Sequence, residues 1–395
     1  MLTPLGLSPS FGFGDRLGLA TPGHIAAVRD TRFAPIFAQQ SVRENARTHR
    51  TPQQVLEDAR RAVEAAGWEA PWGADADHLK SVDDLPPFVK AGYTFFTVDP
   101  GAFVDNAADS YPLPVLYEKT RGADLIQLSE RYLRPVEKVP RGFRGKAPWG
   151  EFDAESLLRA EVKYGRAIRH AADMYRRLSD MKDAFDFEVS VDETDSPTTP
   201  LEHFFIASEL TRQGVRFTSL APRFIGRFEK GVDYIGDLSA LDAELARHAE
   251  VTAYFGTYKL SLHSGSDKFS VYPLIARYWG GCLHVKTAGT SYLEALRVLA
   301  EAEPALFERI WSLALECFPV DRASYHVSAQ VEKVPADVPM PALLDDFDAR
   351  EILHVTFGSV LAQFGLEIKA ALANHAELYS AGLQKHFRKH LDLLK

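Results

Sequence analysis

The chain has 395 residues, of which 46% are hydrophobic and 25% are charged, and its formal net charge is −9. These values are ordinary for a soluble globular enzyme with a large core, and the acidic balance argues against nucleic acid as the main partner. No apolar run approaches about 18 residues, no basic segment precedes a long apolar stretch at the N-terminus, and only two cysteines occur. The sequence therefore predicts a cytoplasmic protein with no membrane span, no secretory signal and no disulfide framework.

Short apolar runs alternate with helical patterns along most of the chain. Nine of these runs are strand candidates: 11–20, 34–41, 75–81, 93–100, 185–193, 215–222, 258–265, 283–289 and 352–358. Strands that alternate with helices indicate βαβ units and a parallel sheet. Eight or nine of them without a flexible linker predict a single α/β domain over residues 1–395, a (β/α)8 barrel of the TIM type. Either 75–81 or 352–358 is then expected to lie outside the barrel.

Two stretches carry few strand signals. Residues 100–150 contain several prolines and are expected to form a long insertion after an early strand, at one mouth of the barrel. Residues 359–395 are expected to form a C-terminal helical tail.

The segment GFGDRLG, from Gly12 to Gly18, has glycine spacing similar to that of a dinucleotide-binding loop. Such a loop needs a strand before it and a helix directly after it. The preceding LTPLGLSP contains two prolines, and the following LATPGH contains Thr-Pro-Gly, which we expect to stop a helix rather than begin one. We therefore interpret the segment as a strand edge, with Asp15 and Arg16 pointing toward the barrel mouth, and predict no nucleotide cofactor.

Polar residues occur near the ends of the predicted strands, where the chemistry of these barrels collects. Strict alternation along 185–193 points Glu188 and Asp192 into the barrel, and alternation along 258–265 does the same for His263. Further polar side chains near predicted strand ends are those of Lys286, His284 and His354. Buried carboxylates need a cation or a proton, so the pattern indicates either a functional site or a structural ion pair inside the barrel.

The segment WGADADHLKS places Asp75, Asp77 and His78 within four positions. Turn chemistry alone could explain this pattern as a capped polar turn. The functional interpretation places a base and a metal ligand side by side. Imidazole and carboxylate ligands together suit Zn, Mn, Fe, Co or Ni.

Several cations follow the predicted strands 215–222 and 258–265. They are Arg223, Arg227, Lys230 and Lys268. Cations at the rim of an acidic protein suggest an anionic small substrate, whereas the alternative is a solvated loop with exposed ion pairs.

Several long segments together resemble the tagaturonate epimerase family, over most of the chain from about Phe11: GDRLGLATPGH, IFAQQSVREN, WGADADHLKS, FFTVDPG, VSVDETDSPTTPLEH, APRFIGRFEKGVDYIGD and LHSGSDKFSVYP. The resemblance implies a metal-dependent epimerase that interconverts D-tagaturonate and D-fructuronate, with relatives that act on the neutral pair D-tagatose and D-fructose. It also implies a small ketose or keto-uronate as the partner, and leaves assembly with further copies of the chain open.

The resemblance also implies residue roles. Asp77 is expected to accept a proton and Glu188 to act as the partner acid, while His78 and His263 are expected to bind the metal. Glu229 is the expected third ligand, with Asp233, Asp192 and His284 as alternatives. The residues expected to bind substrate are Arg16, Gln40, Asp192, Lys230, Lys268, Lys286 and His354.

The inverted carbon lies one position beyond the carbon next to the ketone, so the carbonyl does not acidify its hydrogen. Retro-aldol cleavage followed by re-addition is one route, and hydride transfer is the other. Three further hypotheses stay open: an aldolase or isomerase that uses a metal on another acyclic sugar, an NAD-linked sugar-acid oxidoreductase, and a sugar-binding protein without catalytic activity.

Overall fold

Eight strands form a closed barrel in chain order within residues 1–133, 147–336 and 338–395, which the computed structural model describes. Each strand pairs in parallel with the next, and the eighth pairs with the first. The strands are β1 (Ser10–Gly14), β2 (Ala34–Ser41), β3 (Gly73–Leu79), β4 (Phe95–Val98), β5 (Asp186–Ser190), β6 (Ser219–Ala221), β7 (Lys259–Leu262) and β8 (Leu283–Thr287). The predicted (β/α)8 barrel is confirmed.

Fifteen α-helices surround the barrel in the described part of the chain. They are α1 (Thr21–Val28), α2 (Val42–Thr48), α3 (Pro52–Ala65), α4 (Leu85–Ala91), α5 (Leu113–Lys119), α6 (Leu125–Tyr132), α7 (Ala154–Met181), α8 (Pro200–Arg212), α9 (Leu238–Phe255), α10 (Tyr272–Trp279), α11 (Thr290–Ala302), α12 (Pro304–Asp321), α13 (Phe347–Val355), α14 (Phe357–Asn374) and α15 (Ala376–Leu393). No single described helix combines the length and apolarity of a membrane span; the bent pair of α13 and α14 meets that criterion by length and composition only.

The choice between the two doubtful strand candidates is settled in favour of 75–81, which overlaps β3. The run 352–358 is helical instead, because it spans the end of α13 and the start of α14. Nearly every residue of α13 is buried, so its apolar run shows no one-sided helical period. A short run that is apolar on all sides does not distinguish a buried strand from a buried helix.

The segment after GFGDRLG does begin a helix, contrary to our expectation from Thr-Pro-Gly. Helix α1 begins at Thr21, and Pro22 lies in its first turn, where a missing backbone N–H breaks no helical hydrogen bond. The carboxylate of Asp15 accepts hydrogen bonds from the backbone N–H groups of Leu17, Gly18 and Ala20 and so fixes the loop that follows β1.

The glycine of β1 nearest the mouth is required by close packing. A Cβ atom at Gly14 would lie 2.6 Å from the carbonyl oxygen of Ala288. Backbone from the β8–α11 connection therefore approaches β1 more closely than any side chain would allow.

The stretches 100–150 and 359–395 both contain helices. Helices α5 and α6 pack against α7, and the portion 134–146 of the expected insertion lies outside the described residues. In the C-terminal stretch, α15 packs against α1 and α11, and the ring of Phe387 meets that of Phe13 edge-on at 5.0 Å.

One buried histidine pair lies outside the barrel, between α8 and α9. Nδ1 of His203 lies 2.9 Å from Nδ1 of His248, and the hydroxyl of Tyr258 lies 2.7 Å from Nε2 of His203. Burial lowers the pKa of His248 to about 3, so this imidazole is neutral in the folded protein near neutral pH.

The substitution His248→Asn is therefore expected to alter how stability depends on pH. The unfolded imidazole takes up a proton below its ordinary pKa of 6.5, whereas the folded one stays neutral down to about pH 3, so acid favours the unfolded state. Wild type should lose up to about 2 kcal/mol from this one group between pH 7 and pH 5, and the variant should not. Urea unfolding should be measured for both proteins at pH 7 and at pH 5. The difference in the free energy of unfolding between wild type and the variant should be smaller at pH 5 by that amount.

The matched control is His49→Asn, at an exposed histidine whose positive φ of 52° asparagine tolerates. Its stability difference from wild type should be the same at both pH values. If the stability difference between wild type and His248→Asn is also the same at both pH values, the buried, neutral state of this imidazole is contradicted.

Candidate active site

A buried lysine stands at the C-terminal mouth of the barrel among three carboxylates. Nζ of Lys286, from β8, lies 2.6 Å from Asp75, 2.7 Å from Asp77 and 3.0 Å from Glu188. It also donates a hydrogen bond to the hydroxyl of Thr97. These residues come from β3, β4, β5 and β8, so the ion cluster crosses the barrel interior.

The ionisation of this cluster follows from burial and charge together. Burial alone would lower the pKa of Lys286, but the three carboxylates outweigh it and raise that pKa above its ordinary value. Burial raises the pKa of Asp75 to about 7, against the opposing effect of Lys286. For Glu188, burial acts to raise the pKa, but Lys286 and His263 outweigh it and hold the pKa well below the usual range.

Two histidines lie beside the cluster, and one ring nitrogen of each is within hydrogen-bond distance of a carboxylate oxygen. Nδ1 of His78 lies 2.8 Å from Oδ1 of Asp77, and Nε2 of His263 lies 2.6 Å from Oε1 of Glu188. His78 directly follows Asp77, and adjacent strand residues normally point to opposite faces. Its positive φ of 53° and the shifted pairing between Ala76 and Leu79 break that alternation and bring both side chains to one side.

The remaining ring nitrogens of both histidines face Asp192. Oδ1 of Asp192 lies 3.6 Å from Nε2 of His78 and 3.2 Å from Nδ1 of His263. One ligand atom from each of the three residues lies within 4.8 Å of the other two. Nε2 of His78 is buried and has no hydrogen-bond partner among the described residues.

This donor set fits a divalent transition metal ion. Two imidazoles and one carboxylate match the ligands of such ions, and an orphaned buried nitrogen is accounted for by coordination. Metal-bound histidines commonly have their second nitrogen held by a carboxylate. Asp77 and Glu188 hold His78 and His263 in that way.

The third ligand expected from the sequence, Glu229, does not join this cluster. Its Oε2 accepts hydrogen bonds from the backbone N–H of Ser328 at 2.8 Å and from the Ser328 hydroxyl at 2.7 Å. It also contacts Glu351, whose pKa is raised to about 8 by burial and by Glu229. Besides Arg227, which pairs with Glu229 at 3.3 Å, the residues that bind Glu229 are distant in the chain, so the local sequence gave no sign of them.

Two of the alternatives for the third ligand are also bound elsewhere. The ring of His284 lies deeper in the barrel, where Nδ1 is 2.9 Å from the hydroxyl of Ser10, and burial lowers its pKa to about 3. The carboxylate of Asp233 accepts hydrogen bonds from the backbone N–H and the hydroxyl of Ser270. Asp192 is the alternative that the geometry supports.

A second group of possible ligands lies outside the barrel, at Asp267, His386 and His390. Its atoms already have partners within the protein. Asp267 lies 2.5 Å from Nε2 of His386 and 2.9 Å from Nη2 of Arg350, and its backbone N–H donates to Nε2 of His390. The cluster ties the β7–α10 loop to α15 without an added ion.

Three of the residues expected to bind substrate border the small cavity above Lys286. They are Lys230, Lys286 and His354. Asp77, His78 and His263 border the same cavity, so the structure brings these six residues together.

The side chain of Gln39, rather than the expected Gln40, borders this cavity. Strict alternation from Ile36, which packs inside the barrel, would point residue 40 inward. The pairing of β2 with both neighbouring strands shifts by one residue between Ile36 and Gln39, and this irregularity moves residue 39 to the inner face. Gln40 instead accepts a hydrogen bond from Arg50 at 3.3 Å.

Two further expected substrate ligands are engaged by the protein itself. Arg16 pairs with Glu44 at 2.9 Å, and its guanidinium stacks over Phe357 at 3.6 Å. The ammonium of Lys268 is fully buried and, among the described residues, donates to three backbone carbonyl groups; burial lowers its pKa to about 7. Both residues hold loops at the mouth in place.

Replacing Lys286 by methionine is expected to destabilise the fold strongly, because three carboxylates would be left buried without their cation. We expect the free energy of unfolding at pH 7 to fall by about 3–5 kcal/mol, measured by urea unfolding. The control is Lys230→Met, which removes an ammonium that has no carboxylate partner among the described residues and should cost less than about 1 kcal/mol. Equal losses in the two variants would contradict the role of Lys286 as the counter-charge of the cluster.

Comparisons with known proteins agree with this fold and show the family. A family model described as tagaturonate epimerase matches residues 3–394. The chain is 47% identical over 402 residues to the tagaturonate/fructuronate epimerase of Thermotoga maritima, covering 99% of this chain and 81% of that protein. A glycerol complex of fructuronate-tagaturonate epimerase from Cohnella laeviribosi has a TM-score of 0.93 and 40% identity, covering 100% of this chain and 83% of the other.

A more distant solved structure shares the fold alone. A probable tagatose 6 phosphate kinase from Sinorhizobium meliloti is 12% identical, with a TM-score of 0.51, and covers 98% of this chain and 100% of its own. The family match and the two epimerases confirm the resemblance seen in the sequence segments. The chain therefore belongs to the tagaturonate epimerase family, a family of isomerases that act on sugar acids.

Proposed function

We propose that this chain is a metal-dependent epimerase that interconverts D-tagaturonate and D-fructuronate. The observation that carries the proposal is the arrangement of His78 and His263, whose second ring nitrogens both face the carboxylate of Asp192 at the barrel mouth. The activities given in the names of the relatives from Thermotoga maritima and Cohnella laeviribosi support the choice of substrates.

The cation would be held by His78, His263 and Asp192, and Zn, Mn, Ni, Co and Fe suit these ligands. When bound, such an ion supplies Lewis-acid polarisation of the substrate's ketone oxygen.

Asp77 is the group best placed to accept the hydroxyl proton of the inverting carbon. Its Oδ1 already contacts His78 and Lys286. Its Oδ2 has no hydrogen-bond partner among the described residues, and Asp77 borders the cavity. One oxygen therefore fixes the carboxylate while the other is left for substrate.

We propose that Glu188 is a positioning residue rather than a residue that contacts substrate. Its side chain is fully buried, Oε1 contacts Lys286 and His263, and Oε2 accepts a hydrogen bond from Ser219 at 2.5 Å. We therefore revise its expected role as partner acid. Lys286 borders the cavity and contributes its positive charge on that side, while its three N–H groups are directed at Asp75, Asp77, Glu188 and Thr97.

These positions suit retro-aldol cleavage and re-addition. The hydroxyl proton moves to Asp77 as the carbon–carbon bond breaks, and rotation of the aldehyde before the bond reforms inverts the centre. Asp77 then returns the proton to the new hydroxyl group. No hydride acceptor is required by this route.

Metal binding should separate Asp192 from Glu229 as the third ligand. We expect one divalent ion per chain in wild type after dialysis, measured by elemental analysis with Mn²⁺ titration. Asp192→Asn should weaken ion binding by more than the about 10- to 100-fold typical of losing an outer partner of a ligand. The matched control Glu229→Gln should bind the ion as wild type does. Loss of the ion from Glu229→Gln, with retention in Asp192→Asn, would reverse the assignment.

The activity itself is tested with fructuronate, tagaturonate, fructose and tagatose, each given to metal-loaded and EDTA-treated protein. Chromatographic separation of the epimers should show the metal-loaded protein reaching the same mixture from either uronate. EDTA treatment should remove most of the turnover, and added Mn²⁺ or Ni²⁺ should restore it. Conversion of neither uronate would refute the epimerase, and undiminished turnover after complete metal removal would refute the metal requirement.

A further inference from the structure

The cavity beside the ligand cluster contains a lysine, Lys230, that has no carboxylate within ion-pair distance among the described residues and interacts with Glu193 only at longer range. Nζ of Lys230 donates a hydrogen bond to the hydroxyl of Ser264 at 2.6 Å. Two other cations near this mouth are neutralised: Lys286 has three carboxylates around it, and Arg227 pairs with Glu229 at 3.3 Å. The ammonium of Lys230 is therefore available to an anion in the cavity.

Lys230 and Ser264 lie where a substrate held by the cluster would extend. Both border the small cavity above Lys286 and also the adjoining cavity of about 300 Å³, whose wall includes His263 and Asp192. Arg223 and Arg227 border only the adjoining cavity. The free ammonium thus lies at the junction of the two spaces.

The backbone on both sides of Lys230 is fixed by two buried cations. The ammonium of Lys268 donates to the carbonyl oxygens of Glu229 and Val232 at 2.7 and 2.5 Å. Nε of Arg350 donates to the carbonyl oxygen of Gly231 at 2.7 Å. Because the backbone around Lys230 is already fixed, ligand binding orders the side chain alone and not the loop, which lowers the entropic cost of binding.

Ser264 is held in an unfavourable backbone conformation. Its φ of 50° is positive, which costs free energy for a residue with a Cβ atom and often marks functional sites. It directly follows His263, so the strained residue places the hydroxyl beside a ligand of the proposed metal. Because that hydroxyl accepts its hydrogen bond from Lys230, its own proton remains free to donate.

We propose that Lys230 and Ser264 form the subsite for the terminal carboxylate of the substrate and so favour keto-uronates over neutral ketoses. This inference rests on the proposed epimerase function. An ammonium and a hydroxyl donor together match a carboxylate, whereas the hydroxymethyl group of a neutral ketose carries no charge to balance Lys230.

The test compares Lys230→Met with wild type on charged and neutral ligands. For fructuronate and tagaturonate, kcat/KM should fall by about 10- to 100-fold, the range for losing one charge-assisted hydrogen bond. Fructose and tagatose should inhibit uronate turnover competitively with inhibition constants within about threefold of wild type. Lys230→Arg should recover part of the uronate activity, and Lys90→Met, at an exposed lysine of α4, should match wild type on every ligand.

Each outcome bears on the subsite separately from the epimerase itself. Wild type that converts neither uronate refutes the proposed function. An active wild type whose Lys230→Met variant keeps full uronate activity refutes the subsite. So does a Lys230→Met variant in which uronate turnover and neutral-ketose binding weaken equally, because Lys230 would then support the cavity as a whole.

Discussion

The carboxylates of Asp75, Asp77 and Glu188 can be buried together because the ammonium of Lys286 stands among them. An unpaired carboxylate in such a place would cost several kcal/mol or take up a proton. Two of these carboxylates each hydrogen-bond a histidine ring: Asp77 contacts His78, and Glu188 contacts His263. The position of Lys286 therefore affects both rings through these carboxylates. One buried charge thereby orients both imidazoles toward Asp192, and the proposed metal site depends on it.

Much of this site follows from a simple property of parallel barrels. Inward residues alternate along each strand and meet at the C-terminal mouth, so alternation alone was enough to bring Glu188, His263 and Lys286 together. Alternation does not hold where a strand departs from regular geometry. The irregularity in β2 turns Gln39, and not Gln40, to the inner face of the barrel. The positive φ of His78 places Asp77 and His78 on the same side of β3.

Other parts of the site depend on contacts between distant segments, which no local pattern contains. Glu229 has the chemistry of a ligand, but Ser328 and Glu351 bind it. Lys268 has the chemistry of a substrate ligand, but three backbone carbonyl groups enclose it. The strand candidate 352–358 is helical for a related reason. Because α13 is buried on all sides, its sequence lacks the hydrophobic period that distinguishes a helix from a strand.

The two groups of possible metal ligands among the described residues differ in whether a ligand atom is left without a hydrogen-bond partner. At Asp267 the protein supplies partners from α13 and α15, and the cluster serves as a fastening between a loop and the C-terminal helix. At the barrel mouth Nε2 of His78 has no hydrogen-bond partner among the described residues and lies 3.6 Å from Asp192. The most direct test is anomalous diffraction from crystals grown with Mn²⁺. A peak within about 2.0–2.3 Å of His78, His263 and Asp192 is the predicted result. A peak at Glu229 or at Asp267, with none between His78 and His263, would contradict it.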